Sequence, residues 1–386
     1  MNARGEAMRF SDTILVTGSS GLIGSALIER VGKLHSVVGL DRDGPPYPPK
    51  EAECVGVDLT SPESIRRALA RVRYGYGGRI AAVVHLAAYY DFSGAESDLY
   101  QKLTVDGTRE LLRQLREFEV GVFVFSSTML VHKPCSPGER IDESWPLEGK
   151  WAYPRSKIEA ERVLEEEAGG IPTVALRIAG VYDDLGHSIP IAHQIRRIDA
   201  ERLTGRVYPG DTSRGQAFVH LEDTAEAIAL CIERRGQFGG FTPILIGEEE
   251  TLSYDELQRI VSQLLTGAEI ETVEIPKPLA RVGAWIQDRI PFGEEAFIKP
   301  WMISLADDHY ELDISRARLL LGWTPRHSLR ETLPRMIAAL RSDPEGWYRA
   351  NGMEPPADSE AMERARRRPE PVVLAQGPAR PQAQRP

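Results

Sequence analysis

The stretch Thr13–Gly24, TILVTGSSGLIG, constrains this chain more than any other. Thr13 to Val16 is a short β-branched and apolar run that suits a buried strand. Three glycines spaced G-x-x-G-x-x-G follow, at Gly18, Gly21 and Gly24. Leu22, Ile23, Ala26, Leu27 and Val31 then recur with helical period. Strand, glycine turn and helix is the context that a dinucleotide fingerprint requires. Gly18 permits the tight turn, Gly21 lets backbone approach a pyrophosphate, and Gly24 lets the helix pack close to the strand. The helix N-terminus offers unpaired N–H groups and a positive dipole end to the phosphates.

The alternation continues. Ser36–Leu40 reads as a second strand ending at Asp41, where a carboxylate would accept hydrogen bonds from both ribose hydroxyls and repel a 2′-phosphate. This favours NAD over NADP, although Arg42 next door could welcome a phosphate. Cys54–Val57 reads as a third strand ending in Asp58-Leu59, and Ser61-Pro62 as the cap and first residue of a helix. Arg79–Leu86 is a continuous apolar run that reads as a doubly buried fourth strand, ending in the small residues Ala87-Ala88. A long helix is expected over 96–119, then a fifth strand over Val120–Phe125 that ends in Ser126-Ser127-Thr128. The expected class is α/β: a Rossmann-type doubly wound parallel sheet, with ligands at the carboxyl ends of its strands.

Tyr153-Pro154-Arg155-Ser156-Lys157 opens a helix expected to run to about Ala168. Proline is tolerated there because the N–H it lacks would have no partner in a first turn. Tyr153 and Lys157 sit one turn apart on one helix face. A phenol titrates near pH ~10, but an ammonium and a positive nicotinamide ring would favour the phenolate and lower that value. Tyr153 could then exchange a proton with a substrate alcohol while hydride moves to or from a cofactor.

At 386 residues, the chain is long enough for two cores or one large interleaved one. A net charge of -10 argues against general nucleic-acid or anionic-membrane binding. Cys54, Cys135 and Cys231 have neither metal spacing nor a disulfide framework. The first ten residues lack the apolar core of a signal peptide, and no long apolar run is present. The expectation is a cytoplasmic protein without a membrane span. His187, His193 and His220 have no ligand spacing, so no metal site is expected.

In order along the chain, TGSSGLIG (17–24), Asp41, Asp58-Leu59, HLAA (85–88), FSST (125–128), YPRSK (153–157), LRIAGVY (176–182), FVHLEDTAEAI (218–228) and LGWTP (321–325) resemble the extended short-chain dehydrogenase/reductases of the NAD-dependent epimerase/dehydratase family. The resemblance spans about Thr13 to Leu340. It implies that Gly18, Gly21, Leu22, Ile23 and Gly24 line the pyrophosphate, and that Asp41 holds the adenosine ribose with Arg42 beside it. Asp58 and Leu59 would flank the adenine, and Leu86, Ala87, Ala88 and Ser126 the nicotinamide side. Tyr153 is then the proton donor or acceptor, Lys157 binds the nicotinamide ribose, and Thr128 hydrogen-bonds the substrate oxygen. Tyr90, Gly180 and Gln216 join Thr128 on the substrate side. The family also implies a homodimer through the two long helices, and a smaller α/β substrate lobe.

Several departures from the family pattern bear on a contact near the cofactor and on the substrate. Thr104 stands where the family usually has asparagine. Gly180 stands where nucleotide-sugar members usually have asparagine, and Gln216 where they have a diphosphate-binding arginine. Arg214 lies two residues earlier, and 305–315 contains no further arginine. Met129-Leu130 replace the acidic pair of the dehydratases. The leading expectation is therefore an NAD-dependent oxidoreductase acting on a secondary alcohol or ketone of a small organic substrate. A nucleotide-sugar 4-epimerase retaining its NAD is the runner-up, dehydration is the least favoured chemistry, and a non-catalytic NAD sensor is the alternative from another class.

The expected layout is a Rossmann domain over 12–182 to which 216–247 returns, a lobe from 183–215 and 248–340, and a largely disordered tail over 343–386. Within the lobe, a helix is expected around Ile189–Ala200, and Ser253 with Glu256 forms a capping box. Thr242–Ile246 should be a late strand rejoining the main sheet. The amphipathic segment Ile275–Phe292 reads as a lobe helix, with a lid or membrane-surface helix as the sharper alternative.

Overall fold

The computed structural model describes residues 13–42, 51–91, 94–199, 206–278 and 300–355. Seven parallel strands form the central sheet: β1 (Thr13–Thr17), β2 (Ser36–Asp41), β3 (Ala52–Gly56), β4 (Ala82–His85), β5 (Phe123–Thr128), β6 (Thr173–Ile178) and β7 (Phe241–Ile246). Their spatial order is β7-β6-β5-β4-β1-β2-β3. The order reverses between β1 and β4, which opens a crevice at their carboxyl ends.

Alternate residues of each strand serve opposite faces, as the two-residue strand period dictates. Ile14, Val16, Val84, Val124 and Leu176 pack with Leu27 and Ile28 of α1 (Leu22–Val31). Leu15, Val83, Phe123 and Phe125 pack on the other face. They meet Leu69 of α2 (Pro62–Tyr76), Leu112 of α3 (Gly107–Leu115) and Leu164 of α4 (Ala152–Glu167). A separate core gathers α5 (Ile189–Asp199) with later helices. α6 (Leu221–Glu233) covers the first face of the sheet, where its Ile228 and Cys231 join the sheet core, while Ile191 and Ile195 of α5 belong to the separate one. That third core holds α7 (Tyr254–Thr266), α9 (Leu329–Ser342) and α10 (Pro344–Ala350), with α8 (Ser315–Leu321) lying between α7 and α9 in sequence. The expected caps are present: Ser61 accepts from the Ser64 N–H, and Ser253 and Glu256 form the reciprocal box.

Several expectations need correction. The run Arg79–Leu86 is not one strand: Arg79–Ile80 pairs with Glu119–Val120, and the chain steps at Ala81 before β4 enters the main sheet. The long helix expected over 96–119 is a π-helical turn, Tyr100–Asp106, leading into the shorter α3. Thr104 is fully buried in that wide turn and its hydroxyl accepts the Tyr89 N–H, which ties the segment after β4 to the helix. Residues 315–323 were assigned to the lobe, yet Ala317, Leu321 and Trp323 pack into the sheet core. The tail also begins later than expected. Trp347 and Tyr348 of α10 and Met353 are buried in the lobe core, because these large apolar side chains cover α9. Residues 356–386, and the expected helix of 275–292 beyond 278, lie outside the described residues. Among the described residues, no helix is long and apolar enough to cross a membrane.

Candidate active site

The glycine loop meets the switch point directly. Gly18 has φ +67°, and a Cβ there would stand 2.8 Å from the Ala87 backbone nitrogen. A Cβ on Gly24 would stand 2.4 Å from the Gly18 carbonyl oxygen, so only glycine lets α1 lie this close to the turn. Gly21, Leu22 and Ile23 open α1 at the mouth of the crevice. Asp41 ends β2 beside this loop, accepting from the Ser20 N–H at 2.9 Å and the Arg42 N–H at 2.8 Å. Asp58 follows β3, where the hydroxyl and N–H of Thr60 hold its carboxyl below the usual range, and Leu59 is buried beside it. Beneath the loop, Thr17, His85 and Thr108 form a buried hydrogen-bonded chain, with Thr17 Oγ1 also accepting the Ala87 N–H.

Thr128, Tyr153 and Lys157 converge. Thr128 is the last residue of β5, while Tyr153 and Lys157 project from the first two turns of α4. Lys157 is buried, donates to the Ser126 carbonyl at 2.6 Å and lies 4.5 Å from the Phe125 ring centroid. Burial pushes its pKa down to about 7, with Glu161 working in the opposite direction. Tyr153 keeps an opening to the cavity, but the surrounding protein raises its pKa, and a hydrogen bond with Thr128 only partly offsets the rise. The protein alone therefore keeps the phenol protonated. Desolvation is the largest cause of the rise, and the lowering expected from the sequence requires a positive nicotinamide ring beside the Lys157 ammonium. Tyr90 stands edge-on to Tyr153 with ring centroids 4.9 Å apart, and Trp151 is 5.4 Å from Tyr153 on the same measure.

A buried polar brace holds α4 behind the site. Arg177 on β6 donates to Glu161 through Nη2 at 2.7 Å and Nε at 3.1 Å. Its Nη1 reaches His132 Nε2 at 3.1 Å and the Glu143 carbonyl at 3.0 Å, while Ser127 donates to Glu161. His132 Nε2 thus accepts from Arg177, and its Nδ1–H donates to the Trp145 carbonyl. Burial, then the Arg177 charge, push the His132 pKa down to about 4, and burial with Lys157 brings His85 to about 3. Below the ordinary imidazole value near 6.5, the unfolded chain takes up protons that the folded chain refuses. Stability should therefore fall as pH drops from about 6.5 towards 4, by up to about 1.4 kcal/mol per pH unit for each group. Urea midpoints measured from pH 4.5 to 7 should show this slope, and His132→Gln should flatten it.

The cavity in front of Tyr153 encloses about 560 Å³. Of the residues expected from sequence, Ile23, Leu86, Ala88, Tyr90, Ser126, Thr128, Tyr153, Lys157, Gly180 and Gln216 line it. Gly18, Gly21, Leu22, Gly24, Asp41, Arg42, Asp58, Leu59 and Ala87 do not; they lie toward the β1–β3 end of the crevice or beneath it. Sequence reasoning missed Lys150, Trp151, His187, Met302, Leu305, Asp308 and Tyr310. Met129 and Leu130, noted only as replacing an acidic pair, also line the cavity. Lys150 pairs with Asp308 at 2.5 Å across a gap in sequence that no local pattern bridges. His187 has φ +42° and bonds Asp183 at 2.6 Å, a contact that raises its pKa.

Gly180, Gln216 and Arg214 each have defined neighbours. A Cβ on Gly180 would come within 2.8 Å of the Phe218 ring, so that ring fills the space a larger side chain would need. Gln216 donates to the Asp308 carbonyl at 2.9 Å. Arg214 faces a neighbouring chamber and pairs with Asp211 at 2.9 Å.

His220 also gains neighbours that its spacing did not show. Its ring nitrogen, the Glu222 carboxylate and a His327 nitrogen fall within 4.8 Å of one another. His220 Nδ1, however, accepts the Glu222 N–H at 3.2 Å, which leaves the proton on Nε2 rather than a lone pair for an ion.

A family model described as the NAD dependent epimerase/dehydratase family matches residues 14–247. The decarboxylating sterol-4-alpha-carboxylate 3-dehydrogenase of Saccharomyces cerevisiae is 22% identical over 352 residues, covering 85% of this chain and 97% of that protein. The UDP-glucose 4-epimerase of Streptomyces lividans is 28% identical over 248 residues, covering 58% of this chain and 73% of that protein. Among solved structures, a UDP-glucose 4-epimerase of Thermotoga maritima with UDP-glucose superposes with a TM-score of 0.64 at 22% identity, covering 86% of this chain and 99% of its own. MoeE5 in complex with UDP-glucose and NAD gives a TM-score of 0.63 at 23% identity, covering 86% and 99%. At these identities the solved structures establish the shared fold. The family match over most of the sheet, together with the ordered motifs, shows that this chain belongs to the NAD-dependent epimerase/dehydratase family.

Proposed function

We propose that this protein binds NAD in the crevice between β1 and β4 and catalyses hydride transfer at a secondary alcohol or ketone. The observation that carries the reading is the convergence of Thr128, Tyr153 and Lys157 at one cavity wall beside the glycine loop. The residues present fit the coenzyme. Gly18 and Gly24 leave room for backbone to approach a pyrophosphate, Asp41 supplies the ribose carboxylate, and Lys157 supplies a buried amine one turn from the phenol. When bound, the coenzyme supplies the hydride acceptor or donor and a positive ring that stabilises a phenolate.

In the oxidative direction Tyr153 takes the alcohol proton as the C–H bond electron pair leaves carbon. In the reductive direction it returns that proton to the carbonyl oxygen. Thr128 holds the substrate oxygen, and Lys157 holds the ribose. Asp41 supports NAD over NADP by like-charge repulsion of a 2′-phosphate. The three unpaired cysteines support a reducing, cytoplasmic setting, and family resemblance supports a homodimer through α3 and α4.

Nicotinamide fluorescence tests this reading. The full chain should bind NADH at least about tenfold more tightly than NADPH, and Asp41→Ser should narrow that gap. Failure to bind either coenzyme would overturn the proposal. NADH release with added alcohol marks a dehydrogenase, and retained NAD with inversion of a UDP-sugar marks an epimerase.

A further inference from the structure

The cavity has a charge arrangement that hydride transfer does not use. A second chamber of about 210 Å³ adjoins it, and Pro190, Gln216, Phe218, Met302 and Asp308 line both. Among the described residues, five basic side chains line these chambers, and three of them already meet a carboxylate: Lys150 with Asp308, His187 with Asp183, and Arg214 with Asp211. Arg197 donates to the Val207 carbonyl at 3.2 Å and to Gln194, and it is hydrogen-bonded to Tyr254. Lys157 is held by the Ser126 carbonyl. Among the described lining residues, a diphosphate would have to displace an existing partner from any of these groups, and at Lys150 and His187 the carboxylate left behind is largely buried.

The walls favour a different guest. Leu130, Ile189, Phe218, Met302 and Leu305 face the main cavity, and Leu257 closes the second chamber beside the stacked rings of Tyr208 and Tyr254, whose centroids are 3.8 Å apart. The Phe218 ring also occupies the space beside Gly180 that a polar side chain would need. Apolar walls with a few internally paired polar groups suit a ligand whose binding comes from buried hydrocarbon area, with orientation fixed at one oxygen.

We propose that the two chambers together receive an uncharged, ring-bearing secondary alcohol or its ketone, with an alicyclic or isoprenoid body, rather than a nucleoside-diphosphate sugar. This assignment rests on the reading of Tyr153 as the proton-transfer group. The reacting oxygen lies at Thr128 and Tyr153, the hydrocarbon body runs past Phe218 and Met302, and its far end enters the second chamber. Phe218 and Met302 set the specificity at the junction.

Calorimetry of the full chain with trans-1-decalone and with UDP tests the assignment. The bicyclic ketone should bind at least about tenfold more tightly than UDP. Met302→Lys, which introduces a cation with no carboxylate assigned to it, should weaken decalone and strengthen UDP, each by about tenfold or more. UDP binding as tightly as decalone, or no decalone binding in protein that retains its native thermal transition, overturns the assignment. A parallel NADH titration separates the two readings. Coenzyme binding with UDP preferred removes only the apolar substrate class. Decalone binding without coenzyme binding removes only the redox reading.

Discussion

Tyr153→Phe is expected to lower turnover by about a hundredfold to ten-thousandfold while leaving coenzyme affinity nearly unchanged. In the proposed reaction the phenol hydroxyl moves the substrate proton, whereas the ring packs against Tyr90 and Trp151. Phenylalanine keeps that packing, so the loss should fall on kcat. Lys157→Met should behave differently. It removes the amine held by Ser126, so both coenzyme affinity and turnover should fall. A Tyr153→Phe enzyme that retains full turnover on a substrate of the wild type would show that the proton leaves by another route.

Arg177→Leu should be the most destabilising single change away from the site, at about 3–5 kcal/mol. Arg177 and Glu161 are both nearly inaccessible to water, and the substitution strands the Glu161 carboxylate with Ser127 as its remaining side-chain donor. It also removes the donor to His132 and to the Glu143 carbonyl. The double variant Arg177→Leu/Glu161→Leu should recover much of the loss, since it leaves no stranded charge. Urea unfolding of the single and double variants measures both values, and a single-variant loss below about 1 kcal/mol would show that the pair is replaceable. Glu161 lies one turn beyond Lys157, so the single variant should also disturb the amine's position.

The parts of the site legible in sequence were those whose requirements are local. Gly18 and Gly24 announce themselves because a tight turn and a close helix leave no room for Cβ. Tyr153 and Lys157 are recognisable because helical geometry places them on one face. Asp41 could be placed because it ends the strand next to the glycine loop.

The unseen parts depend on pairing between distant segments. Lys150 with Asp308, and the Phe218 ring against Gly180, come together only when the lobe closes over the sheet. The same limit explains the misread strand over Arg79–Leu86. Its apolar stretch Ile80–Val84 satisfies either one buried strand or two, and the pairing of Glu119–Val120 with Arg79–Ile80 divides it. The phenol's titration depends on the closed fold in a related way. Tyr153 and Lys157 are adjacent in pattern, but the extent of desolvation around them is a property of the closed cavity.

The position of β7 bears on how the chain matures on the ribosome. This strand lies against β6 at the border of the main sheet, yet it comes after α5 and α6 in sequence. During synthesis, the first six strands emerge while the flank of β6 still awaits its neighbour. Its unpaired backbone groups form an adhesive border until residue 246 clears the exit tunnel. A nascent chain stalled when Tyr182 has cleared the tunnel should therefore associate with other chains or recruit a chaperone, whereas one stalled after Ile246 has cleared it should no longer present that border.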